Sequence, residues 1–135
     1  MEKKIVQVQE RTQQLIRQLL NVWESSVRAT HDFLSEEEII KIREYVPMAI
    51  ENVEYLIIAE KEFGEPVAFM GIDSNRLEML FLSPEVRGKG LGKQQLQYGI
   101  ETYNIQELTV NEQNPQAVGF YEHMGFQTYK RTEYD

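Results

Sequence analysis

The chain has 135 residues, 41% hydrophobic and 27% charged, which fits one globular domain over 1–135 and sets aside disorder, collagen and a coiled-coil rod. With no cysteine it has no disulfide, thiolate metal site or cysteine nucleophile, and two histidines are too few for a histidine metal cluster, so no metal is expected. A net charge of −8 argues against a nucleic-acid partner, which calls for a basic face.

Ile5-Val6-Gln7-Val8 alternates and predicts a short first strand. Residues 11–29 predict a helix, since Leu15, Ile16, Leu19, Leu20, Trp23 and Val27 recur at three- and four-residue steps. A second helix starts at Ser35, which forms a capping box with Glu38, and Pro47 is expected to kink or end it. The period then shortens. Tyr55–Ala59, Val67–Ile72 and Arg76–Leu82 read as strands joined by turns, an antiparallel meander. After a glycine loop come a helix from about Gly90 to Tyr103, a strand over 107–110, a helix over 115–124 and a last strand over 127–132. The order is β-αα-βββ-α-β-α-β, and the crossover helix predicts a parallel pair on either side of it. No apolar run approaches the roughly 18 residues of a membrane helix, and the N-terminus has no secretory h-region, so a cytoplasmic protein with no membrane partner is expected.

Charge is uneven along the chain. Residues 31–65 carry −7, whereas residues 76–93 carry +2. That positive island contains Arg87-Gly88-Lys89-Gly90-Leu91-Gly92-Lys93, three glycines in five residues at a strand-to-helix junction. Glycine lets the backbone turn tightly and approach a ligand, and the first amides of a helix carry partial positive charge, so the segment suits a phosphate. It is not a P-loop: Gly88 lies one residue too close to Gly92-Lys93, and Gln94 stands where Ser or Thr would hold magnesium. Nor is it a dinucleotide fingerprint, whose third glycine falls three residues after the second. The plain alternative is a glycine-rich turn with solvated lysines.

Asn114 to Phe126 is a complete helix statement. Asn114 is the N-cap, Pro115 the first helical residue and Gly125 the stop. Ala117, Phe120, Tyr121 and Met124 share one face, so periodicity alone assigns Tyr121 to packing, with His123 off the stripe and exposed.

Together the two segments resemble the GNAT superfamily of acetyl-CoA-dependent N-acetyltransferases, small bacterial type. Arg87 to Gly92 matches its [Gln/Arg]-x-x-Gly-x-[Gly/Ala] motif. Asn114, Ala117, Tyr121 and Gly125-Phe126 match its later motif, in the expected order. The resemblance implies an α/β fold with a mixed, largely antiparallel sheet splayed between its fourth and fifth strands and flanked by helices. It implies that backbone amides of about Val86 to Lys93 (Arg87, Gly88, Lys89, Gly90, Leu91, Gly92 and Lys93) hold the coenzyme A pyrophosphate. Leu80, Phe81 and Leu82 would pair with the pantetheine arm and offer an oxyanion amide. Asn114 and Phe120 would line the coenzyme channel, and Tyr121 would reach the sulfur. The function implied is acetyl transfer from acetyl-CoA to a primary amine, by direct attack in a ternary complex. A non-catalytic coenzyme A-binding sensor is the alternative, and a structural domain without ligand a third.

A lysine-like amine is neutral at pH 7 only at a cost of about 4.6 kcal/mol, so a base is needed. Glu78 is the first candidate, on the strand leading to the oxyanion amides; a solvent-facing strand residue is the plain alternative. His31 is the second. Tyr121 is expected to donate a hydrogen bond to the developing thiolate, because full transfer is uphill by about 2 kcal/mol at ordinary pKa values. The acceptor, a small-molecule or peptide amine, is not readable. Two expectations concern it: helices 11–29 and 35–50 should wall its pocket, with Trp23, His31 and Phe33 nearby, and the acidic segment favours a cationic amine. Core packing fits Trp23 better. The family usually adds a seventh strand, for which the residues after Phe126 leave no room. The resulting sheet edge is blunted by Lys130, Arg131 and Glu133, or covered by a second copy in a homodimer, or belongs to a longer natural chain.

Overall fold

The computed structural model describes residues 4–30, 33–111 and 113–129. In chain order these form β1 (Lys4–Gln7), α1 (Gln13–Thr30), α2 (Glu36–Asn52), β2 (Tyr55–Glu60), β3 (Pro66–Asp73), β4 (Arg76–Leu82), α3 (Leu91–Tyr103), β5 (Glu107–Leu108) and α4 (Pro115–His123), with 3-10 turns at Glu62–Gly64 and Pro84–Val86. One sheet runs β1-β2-β3-β4-β5. Its first three pairings are antiparallel and β4-β5 is parallel, as the crossover helix requires.

The sheet has a core on each face. Successive side chains on a strand point oppositely, so Phe69 and Met70 of β3 enter different cores. Phe69 meets Leu19, Trp23 and Ile50 of α1 and α2, while Met70 meets Leu96 of α3 and Ile105. Close approach fixes α3: a Cβ on Gly99 would lie 2.5 Å from Ile105 Cδ1 and 3.1 Å from Met70 Cε.

The capping box of α2 forms as the sequence predicts. The Glu38 amide donates to Ser35 Oγ at 3.1 Å and the Ser35 amide to Glu38 Oε1 at 2.9 Å, and the Ser35 amide on the carboxylate lowers the Glu38 pKa. The helix runs through Pro47 to Asn52 instead of ending there. Val46 and Ile50 anchor this stretch in the core, and Arg11 forks onto the helix end, donating to Ile50 O, Glu51 O and Glu54 O at 2.9–3.1 Å. A cation on otherwise unpaired C-terminal carbonyls favours the helix and offsets the bond that proline forfeits. Arg28 and Arg43 bridge α1 to α2: Glu24 accepts from both, and Arg28 also meets Glu36 at 2.8 Å. Hydrogen bonds from Arg28 hold the Glu24 and Glu36 carboxyls below the usual range.

Two expectations are corrected at the far edge. The fifth strand is Glu107–Leu108 alone, and Gln127, Thr128 and Tyr129 are not strand; the remainder of the expected last strand, 130–132, lies outside the described residues. Backbone at 127–129 makes no ladder with β5, which among the described residues pairs with β4 alone.

Candidate active site

Strand β4 keeps β3 as partner along its whole length, but it pairs with β5 only at Arg76↔Glu107 and Leu77↔Leu108. From Glu78 to Leu82 the side of β4 that faces β5 has no strand partner among the described residues. A bulge sits at the point of divergence. Ile72 opposes Leu77 and Gly71 opposes Met79, so Glu78 is the extra residue. A bulge increases local twist and bends its strand, which helps to carry β4 away from β5.

The gap is a cleft of about 620 Å³. Its walls are β4 from Leu77 to Leu82, the loop from Arg87 to Lys93, residues 108–111, one face of α4, and Ser26 and Thr30 of α1. A second hollow of about 730 Å³ lies beyond Tyr121, against β5 and residues 124–129, without the glycine loop.

The loop has the form that its glycines predict. Gly88 has φ +75° and Gly90 φ +83°, left-handed values that favour glycine. Gly90 is the N-cap of α3 and brings no side-chain cap. Backbone bonding resumes at Gln94, whose amide donates to Gly90 O at 3.0 Å. Among the described residues, the amides from Gly88 to Lys93 have no backbone acceptor, leaving a row of donors for a ligand or solvent. Lys93 lines the cleft, Lys89 is exposed, and Arg87 turns inward, its Nη2 donating to Ser26 Oγ at 2.9 Å.

Asn114 caps α4, its Oδ1 accepting from the Ala117 amide at 3.2 Å, and it lines the cleft together with Phe120 and Tyr121. The Tyr121 ring stacks edge-on against Phe120 and Phe126, with centroids 5.2 and 6.2 Å away. Burial pushes its hydroxyl pKa up to about 12. Packing and a place in the cleft are therefore both true of Tyr121. Glu78 also lines the cleft, with its carboxylate 3.1 Å from Arg76 Nε. Arg76 further meets Glu107 at 3.3 Å and donates to Thr109 Oγ1.

A family model described as Acetyltransferase (GNAT) domain matches residues 24–135. The chain belongs to the GNAT acetyltransferase family. It is 39% identical over 117 residues to the peptidyl-lysine N-acetyltransferase YjaB of Salmonella typhimurium, covering 87% of this chain and 80% of that protein. The solution structure of apo YjaB from Escherichia coli superposes with a TM-score of 0.88 at 34% identity, covering 100% of this chain and 89% of that one. The PaiA N-acetyltransferase of Thermoplasma acidophilum, solved in complex with coenzyme A, shares the fold at a TM-score of 0.76 and 22% identity, covering 98% of this chain and 94% of that one.

In this GNAT acetyltransferase, residues 80–82, 87, 88, 90–93, 114, 120 and 121, read from separate parts of the sequence, line one cleft, while Lys89 of the same loop is exposed and does not line it. Of the residues expected near the acceptor, Trp23 is 3% exposed inside the core and does not line the cleft. Phe33 is partly buried and does not line it either, and His31 lies outside the described residues. Residue-by-residue reading passed over Ser26 and Thr30. Ser26 had a signal: it falls on the apolar stripe with Leu19, Trp23 and Val27, where a polar residue calls for a reason.

Among the described residues no group of three or more acids or histidines is placed to hold a metal, and no helix is long and apolar enough to cross a membrane.

Proposed function

We propose that the chain, acting as one domain over 1–135, transfers the acetyl group of acetyl-CoA to the side-chain amine of a lysine in a peptide or protein. The observation that carries this reading is the splayed β4-β5 gap opening beside the glycine loop: an unpaired strand edge and a row of free amides in one cleft. Peptidyl-lysine is the acceptor named for the YjaB relative, and net −7 over residues 31–65 suits a cationic amine.

The residues present fit the coenzyme. Amides of Gly88 to Lys93 face a phosphate with no side chain at Gly88, Gly90 or Gly92, and Arg87, Lys89 and Lys93 supply charge. Leu80, Phe81 and Leu82 offer backbone to an extended amide-bearing arm, as one strand does to another. An amide there donates to the thioester oxygen as it gains charge. Asn114 and Phe120 line the channel.

The amine attacks the thioester carbonyl directly: a C–N bond forms, the C–S bond breaks, and the amine loses a proton. Glu78 accepts that proton, directly or through water. Tyr121 donates a hydrogen bond to the departing sulfur. With the Tyr121 pKa near 12 and a cysteine-like thiol near 8.5, complete proton transfer would cost about 5 kcal/mol, so donation without transfer is its role.

The test is to incubate the full chain with acetyl-CoA and three acceptors: a lysine peptide blocked at its N-terminus, a lysine-free peptide with a free α-amine, and a small diamine. Acetylation of the blocked peptide, mapped to lysine by mass spectrometry, is expected. Acetyl-CoA binding without transfer to any acceptor would leave a coenzyme-binding module instead.

A further inference from the structure

Arg87 is placed unlike three other arginines of the chain. Arg28, Arg43 and Arg76 each meet a carboxylate. Among the described residues Arg87 meets none; its partner is the neutral hydroxyl of Ser26, 61 positions earlier. Partial burial costs the guanidinium solvation and lowers its pKa. A neutral acceptor fixes the group without cancelling its charge, so an uncompensated cation stays at the rim of the cleft, open to an anion. A guanidinium has five N–H donors in a planar fork. One is taken by Ser26, which sets the plane and leaves other donors for phosphate oxygens.

Ser26 itself is 1% exposed, on the stripe by which α1 packs. An alanine would fill that position as a packing residue, so the hydroxyl is explained by Arg87 and not by the core. One turn later Thr30 Oγ1 donates to Ser26 O at 2.8 Å, and both residues line the cleft. We infer that Ser26 is a positioning residue for Arg87, holding the guanidinium where it meets the coenzyme phosphates and tying occupancy of the phosphate loop to the last turn of α1. This rests on the coenzyme reading of the cleft.

The experiment measures dissociation constants by calorimetry for coenzyme A and for pantetheine, which carries no phosphate. The proteins are wild type, Ser26→Ala, Arg87→Met and the double variant, with unfolding midpoints read alongside. Ser26→Ala is expected to weaken coenzyme A about tenfold, the scale of a hydrogen bond to a charged group, and to leave pantetheine unchanged. Added to Arg87→Met, it should cost less than about twofold more, because the group it positions is gone. Equal losses for coenzyme A and pantetheine, or the same loss with and without Arg87, would overturn the inference and make Ser26 a packing residue. If Arg87→Met weakens coenzyme A while Ser26→Ala does not, this inference alone fails. Unaltered coenzyme A binding by Arg87→Met would remove both the inference and the assignment of Arg87 to the phosphates.

Discussion

Replacing Tyr121 with Phe separates its two roles, because the ring stays between Phe120 and Phe126 while the hydroxyl leaves. If the hydroxyl donates to developing thiolate charge, the loss is that of a hydrogen bond to a charged group, roughly 1.5–3 kcal/mol, or about 10- to 150-fold in kcat. Acetyl-CoA binding should be nearly unchanged, since the interaction strengthens only as charge develops. The same substitution has an equilibrium signature. The folded-state pKa of about 12 exceeds the unfolded value near 10. The native state therefore keeps the proton longer, and this contribution to stability is complete below pH 10 and lost as pH rises through 12. Between pH 8 and pH 11 wild type should lose about 1.4 kcal/mol more than Tyr121→Phe in urea unfolding. Tyr103, also pushed up by burial to about 12, is common to both proteins and cancels. Equal kcat in the two proteins would return Tyr121 to packing alone, and parallel pH dependence of unfolding would refute the buried-hydroxyl argument.

Three further perturbations test separate parts of the site and fold. Gly90→Val places a β-branched residue at φ +83° and a side chain beside the free amides; the roughly 2.7 kcal/mol of stabilisation expected from acetyl-CoA at 100 times its Kd should disappear, and an unchanged shift would reject the loop assignment. Glu78→Gln should lower activity most well below the acceptor amine's pKa of about 10.4 and recover partly above it, whereas a profile parallel to wild type removes Glu78 as the base. Gln95 is fully buried, and neither side-chain amide atom has a hydrogen-bond partner among the described residues. Gln95→Met keeps a long unbranched side chain and removes both atoms, so unfolding free energy should rise by about 1–3 kcal/mol; a decrease would show that an ordered water satisfies the amide.

Most of the fold was legible because its signals are local. Apolar steps of three and four placed α1, the Ser35-Glu38 box placed the start of α2, and Asn114-Pro115 with Gly125 bounded α4. The crossover helix gave the parallel β4-β5 pair. What was not legible depends on groups distant in sequence. Arg11 reaches the last carbonyls of α2, beyond Pro47, across about 40 positions. Ser26 acquires a role only when the loop folds against it from 61 positions away. The end of β5 is set by whether a neighbour pairs with it, which its own residues do not encode. Glu78 was picked for its chemistry, but its place as the extra residue of β4 follows from register, and register belongs to two strands at once.

That single extra residue makes the cleft a matter of counting more than of composition. Opposite β3, the ladder skips one position of β4 between Leu77 and Met79 and then resumes in step. Any side chain at 78 leaves that count intact, so substitutions there should alter chemistry while the groove keeps its shape. Deleting the residue is a different operation. It would put Leu77 and Met79 in unbroken register, straighten the strand, and hand the inner edge of the groove back to β5 as ordinary sheet. Within this fold, the distance between a continuous sheet and one with room for a ligand is one residue of chain length.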